Sequence, residues 1–422
     1  MASGAPRAEE PAGGHAGHHV HPWVFMVLII PFGVSSGYVQ GPIGYLLRHA
    51  GVSVAQAAGI IALSVLPHTY KFAWAPVVDT TLDQKRWYLI AGTASSLGIA
   101  ALGMFPATRA GLALLASVVF IGSCATTFLG MAVESLMAYS TPENLKGRAG
   151  GWFQAGNLGG TGIGAGIGLW LSQRLPWTGW ASAIVGGLCL LCCGALYFVP
   201  TPVRTLERDG FGKSLVAAVR DLIRVARGRA GLLALILCFL PIGSGAASGL
   251  WATVADDWKA TADTVALVTG LLSGVISAAG CIVGGWICDR MDRKVSYVVY
   301  GLLQAACAIG MALMPHTQTM FVAWASLYAF ITGLTYAGFT AFVLEAIGKG
   351  AAATKYSVYA SLSNFPIYYM TNVDGWAHDR WSATGMLFTE AALCVLGAAV
   401  FMGLIAALGR GRAPGAAEQA AS

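Results

Sequence analysis

Lys71, Glu134 and Glu345 stand out first, because each sits in a stretch otherwise almost free of charge. A charge near the centre of a membrane helix costs ~2.5–3.5 kcal/mol on insertion scales, so it is a functional candidate by default. Lys71 precedes Asp79 by eight residues, about 12 Å along a helix. A cation at that depth suits holding an anionic group of a solute, or pairing with an acid that takes up a proton. The acids recur in register: Asp79 and Asp289 are 210 residues apart, Glu134 and Glu345 211. At the same offset Lys71 meets Cys281, so a repeated scaffold does not demand the lysine. Mirrored acids at helix ends suit a gate. Arg148 follows Glu134 and Lys355 follows Glu345, each across a turn. With Asp79, Asp289, Arg290 and Arg293 they are expected to form ion pairs present in only one of two conformations. Either glutamate is also a candidate for coupling to protons.

Uncharged polar residues supply candidate solute contacts: Tyr38 and Gln40, Gln154 and Asn157, Tyr336, and Asn364 and Tyr368. Each also suits a helix-to-helix hydrogen bond. His68, one turn before Lys71, reads as a satisfied buried histidine. Asp256, Asp257, Asp374, His378 and Asp379 fall at expected helix ends and read as facing water. The nine cysteines lie in apolar runs, so no disulfide framework is indicated. Cys189, Cys192 and Cys193 read as packing residues. There is no phosphate-binding Gly-Lys loop, no metal-spaced His/Glu pair and no nucleophile elbow. No enzyme chemistry, cofactor or metal is expected, and an ion gradient is the expected energy source.

The elements that position these residues follow from composition. Of 422 residues, 56% are hydrophobic and 10% charged, against about 25% charged in soluble domains. Mean hydropathy is +0.66. This excludes a soluble enzyme and a nucleic-acid partner. Apolar stretches divide into twelve expected spans, near 22–46, 54–78, 87–107, 110–139, 147–173 and 179–199, then 231–256, 265–288, 295–314, 319–347, 355–377 and 383–409. With the N-terminus inside, 19 Lys and Arg residues fall on the inner side and 5 on the outer. That bias places both termini in the cytoplasm. Residues 1–20 read as a disordered tail, with His15, His18 and His19 too unordered for a metal site. Across 201–229, Phe211, Leu215, Val219, Leu222, Ile223 and Ala226 share one helical face and basic residues fill the rest, which suits an anionic membrane surface. Gly156, Gly160, Gly164 and Gly168 form a stripe for close helix approach, expected here between the two halves.

Two motifs carry a family resemblance. Gly285-x-x-x-Asp289-Arg290-x-Asp292-Arg293-Lys294 resembles the signature loop of the major facilitator superfamily. Residues 66–79, from Leu66-Pro67-His68 through Lys71 to Asp79, resemble the second-helix signature of AmpG-like muropeptide permeases, acetyl-CoA transporters and siderophore importers. Residues 354–364 are similar to their helix 11 pattern. Thr80 and Thr81 follow Asp79 where the permease pattern has Arg. Gly156-Asn157-Leu158-Gly159-Gly160 replaces the Gly-Pro pair of drug antiporters, which favours import. The resemblance implies a cavity lined by helices 1, 4, 7 and 10.

The expected molecule is an all-α membrane protein with twelve transmembrane helices in two pseudo-symmetric six-helix bundles. The bundles are 21–200 and 230–410, with a linker at 201–229 and tails at 1–20 and 411–422. The expected function is alternating-access transport, proton-coupled, importing a bulky polar or anionic solute of the muropeptide, CoA-thioester or siderophore class. Export is the alternative, or a sensor that docks partners without transport. A monomer in the inner membrane is expected, with a small solute, protons and lipid as its partners.

Overall fold

The computed structural model describes residues 20–141, 146–200, 227–347 and 358–410, with single positions between 213 and 224. The expected tails, most of the 201–229 linker and Lys355 lie outside the described residues, as do the side chains of Asp79 and Arg148. Among the described residues all regular structure is helical. It groups into α1 (Trp23–His49), α2 (Val54–Thr69 then Lys71–Thr80), α3 (Gln84–Leu102), α4 (Arg109–Ser140), α5 (Lys146–Gly162, continuing to Arg174) and α6 (Thr178–Phe198). There follow α7 (Arg229–Leu237 then Ala246–Leu250 to Trp258), α8 (Ala262–Cys288), α9 (Arg293–Leu313), α10 (Gln318–Ile347), α11 (358–380) and α12 (383–410). A turn at Trp381 and Ser382, the latter at φ 62°, separates the last two. Seven of the described helical stretches are long and apolar enough to cross a membrane.

The α2 and α7 spans are interrupted, and each break frees backbone groups that must find partners. The α2 helix pauses at Tyr70. Ser361 of α11 donates to the freed His68 and Thr69 carbonyls at 2.9 and 3.0 Å. The α7 span, expected as one helix over 231–256, unwinds between Leu237 and Ala246. Pro241 has no N–H to donate, and Gly243 and Gly245 take φ of 60° and 70°, a region that favours glycine. Tyr297 donates to the Ile242 carbonyl at 2.7 Å and Tyr369 to that of Phe239 at 3.0 Å.

The glycine stripe of α5 packs elsewhere than expected. A Cβ on Gly156, Gly160 or Gly164 would lie 2.3–2.5 Å from a backbone oxygen of Met26, Ile30 or Val34 in α1. Gly33 and Gly37 interlock from the other side, each 2.0 Å from an α5 oxygen by the same measure. The stripe therefore joins α5 to α1, not one half to the other. Its face is taken up by α1 because both helices carry glycine in register, so their backbones approach closely. The contact of α5 with α8 runs through Gly166 and Leu158 against Gly270 and Gly274.

Candidate solute and ion site

Lys71 opens the second piece of α2, and Glu134 lies in the 29-residue stretch Leu112–Ser140 of α4. The fold brings them together: Lys71 Nζ donates to Glu134 Oε1. The lysine side chain is 14% exposed and the glutamate 36%. One turn earlier, His68 Nδ1 shares a hydrogen bond with Thr127 Oγ1 at 2.9 Å, and its ring lies 4.7 Å from that of Phe32. The site is thus a part-buried cation held by one acid, walled by α1, α2 and α4, with α11 touching the break at Thr69.

The other charged candidates that the structure describes lie apart from Lys71, in the second half of the chain. Arg293 at the start of α9 meets Glu345 near the end of α10 at 3.6 Å. Arg290 lies over the Trp286 ring at 3.8 Å and donates to the Trp286 carbonyl. Asp292 accepts from the Lys294 and Val295 N–H groups and caps α9. Among the described side chains, no ion pair of the expected gating residues joins the segment before residue 200 to the one after 230. Glu134 pairs two helices back, with Lys71 of α2, and Glu345 one helix back, with Arg293 of α9, so each pairs locally.

The polar candidates are dispersed. Tyr38 is buried, with its ring edge against Gly168 of α5. Gln40 donates to Ser36 Oγ at 2.9 Å and approaches Gly249 of α7. Asn157 donates to the exposed Gln154 at 3.3 Å. Asn364 donates back to the Ala360 carbonyl at 2.9 Å. Tyr368 is partly buried beside Phe365, and Tyr336 on α10 is half-exposed.

Among the described residues, the charged contacts across the sequence midpoint lie at the end that carries His49. Arg174 pairs with Asp263 at 2.9 Å and His49 with Asp256 at 3.8 Å. Asp379 of α11 accepts from the Val54 and Ala55 N–H groups at 3.0 and 3.2 Å, capping α2 from another part of the chain. Gly375 packs on Ala58 of α2. The expectation that Asp374 and His378 face water is overturned, whereas Asp379 is exposed as expected. Asp374 is fully buried. His378 is buried and bonds Asp257 Oδ2 at 2.6 Å. Helix packing of α11 on α2 and α7 covers Asp374 and His378.

Sequence reasoning also missed Glu390. It lies in α12, is 5% exposed and accepts the Tyr328 hydroxyl of α10. The signal was present, an acid inside an apolar span, but no mirrored partner drew attention to it.

Residues 23–369 match the family model of the Major Facilitator Superfamily. The chain belongs to this superfamily. It is a multi-pass membrane protein of a transporter family, and no enzymatic role attaches to it. It is 24% identical over 350 residues to the anhydromuropeptide permease of Escherichia coli (strain K12), covering 79% of this chain and 70% of that relative. Its fold resembles the D-xylose-proton symporter, with TM-score 0.72 at 14% identity, over 90% of this chain and 96% of that one. The xylose transporter XylE from E. coli, in a partially occluded inward open conformation, superposes with TM-score 0.68 at 16% identity, over 92% and 97% of the two chains. Major facilitator architecture accounts for the buried charges: polar groups inside such bundles face a solute path or one another.

Proposed function

We propose that this protein imports a bulky polar or anionic solute by alternating access, driven by a proton gradient. The solute class is that of muropeptides, CoA thioesters or ferric siderophores. The observation that carries the reading is Lys71, a largely buried cation whose only bonded acid among the described residues is Glu134. An anionic group entering the site competes with Glu134 for the ammonium. The displaced carboxylate then needs a new partner, and a proton supplies one. The similarity to an anhydromuropeptide permease supports this solute class. Two six-helix bundles, 21–200 and 230–410, would rock about the site, with 201–229 as their cytoplasmic link. Both termini face the cytoplasm in this reading and the protein acts as a monomer in the inner membrane. Arg148, Asp79, Asp289 and Lys355 would pair across the inner side when the His49 end opens.

The test is uptake into proteoliposomes under an imposed inward proton gradient. The ligands are a labelled anhydromuropeptide, a CoA thioester and a ferric siderophore. Gradient-driven accumulation of one of them is expected. Accumulation of none, or equal uptake without the gradient, overturns the reading.

A further inference from the structure

The part of the chain after residue 229 buries a second ionisable cluster, away from Lys71. Glu390 of α12 and Asp374 of α11 are 5% and 0% exposed. Tyr328 of α10 donates its hydroxyl to Glu390 Oε1, and the Ala247 N–H of α7 approaches the same oxygen at 3.5 Å. Glu390 Oε2 and both carboxylate oxygens of Asp374 are buried with no hydrogen-bond partner. The two acids and Tyr328 are within electrostatic reach of one another. Cys307 of α9 and Cys394 of α12 are the other titratable groups facing Glu390. Among the described residues no Lys, Arg or His forms an ion pair with either acid.

An ionised carboxylate taken out of water without a compensating charge costs several kcal/mol. Two of them within electrostatic reach of each other call for positive charge that these side chains do not supply. The unwound stretch of α7 leaves a space against Glu390, lined also by Gly243, Ser244, Gln304 and Cys394. It has room for about one water molecule. A metal ion such as calcium needs six or more oxygens around it (~6–8), and no group of three His, Cys, Asp or Glu side chains converges among the described residues. Broken helices are where transporters place their coupling-ion sites.

We infer that Glu390 and Asp374 form a proton-binding pair, with Glu390 its member open to the unwound segment of α7. Loading adds one proton to a carboxylate oxygen and release restores the carboxylate; no other bond changes. The pair has a route to the moving parts. Tyr328 touches the Trp251 ring of α7, with centroids 5.3 Å apart. Two residues on, Thr253 packs against Gly44 of α1. The charge state of the pair therefore bears on the α1–α7 contact. This inference rests on the proton-coupled reading above, and adds to Glu134 a second proton site in the second half of the chain.

The experiment needs no solute. The full chain is reconstituted on a solid-supported membrane, and the transient current after a pH jump is recorded. Wild type should give a charge displacement that falls at least fivefold in Glu390→Gln and in Asp374→Asn. Infrared difference spectra across the same jump should lose a carboxylic C=O band in Glu390→Gln. An undiminished transient with an unchanged spectrum in both variants overturns the inference. So does a transient of equal size evoked by a Na⁺ jump at constant pH. Gradient-driven uptake surviving in Glu390→Gln would leave proton coupling standing and remove this site. Loss of the transient without any coupled uptake would keep the site and remove the coupling. Glu390→Asp, which keeps the acid, distinguishes a lost proton site from a misfolded variant by restoring the infrared band.

Discussion

At the scale of single residues, the chemistry turns on what each buried charge meets. Lys71 is legible from the sequence alone, because a lone cation in an apolar span has few reasons to exist. Its partner is not legible, because Glu134 lies 63 residues away and only helix packing sets their distance. Lys71→Ala should reduce gradient-driven uptake at least tenfold, whereas Lys71→Arg should retain part of it; normal uptake by Lys71→Ala removes the lysine from the mechanism. Glu134→Ala leaves an ammonium without its acid. The cost should be below the ~3–5 kcal/mol of breaking a fully buried pair, because Glu134 is partly exposed. Thermal unfolding in detergent should show a lowered midpoint for Glu134→Ala, largely recovered in the Lys71→Ala/Glu134→Ala double variant. No recovery would mean that the two side chains act separately.

Among the helices, small residues decide which spans touch. The periodic glycines of α5 are visible in the sequence, but not the helix they face. Neighbouring glycines of α5 separate the two roles. Gly160 lies against the Ile30 carbonyl, whereas a Cβ on Gly159 would meet nothing within 4 Å. Gly160→Ala should destabilise the protein by about 1–3 kcal/mol, the usual cost of overpacking. Gly159→Ala should be neutral or mildly stabilising, since alanine favours helix over glycine. Thermal melts of the two variants side by side make the comparison, and equal midpoints would remove the α1–α5 interlock as the reason for the stripe. A longer-range cap is Asp379 on the start of α2. Asp379→Ala should cost about 1 kcal/mol, as loss of a helix cap does. Hydrogen exchange at Val54 and Ala55 should rise with it; unchanged protection there would mean that the α2 start is held by other contacts.

Across the whole molecule, the His49 end is closed by contacts between the two parts of the chain, the Arg174–Asp263 pair among them. Alternating access requires that end to open. With the nine native cysteines replaced, Arg174→Cys/Asp263→Cys oxidised to a disulfide should block uptake, and reduction should restore it. Full uptake by the crosslinked protein would show that this end need not part. What the sequence determined by itself is the membrane class, the helical spans and the superfamily, because hydropathy and short motifs are local and additive along the chain. It also marked Lys71 and Glu134 as costly charges. Tertiary structure alone decided that these two pair with each other, that the glycine stripe serves α1, and that Asp374 and His378 are buried. It also decided that Glu390 meets Tyr328 beside an unwound helix. Each of these depends on which helix face meets which neighbour, a quantity fixed by packing among segments tens to hundreds of residues apart.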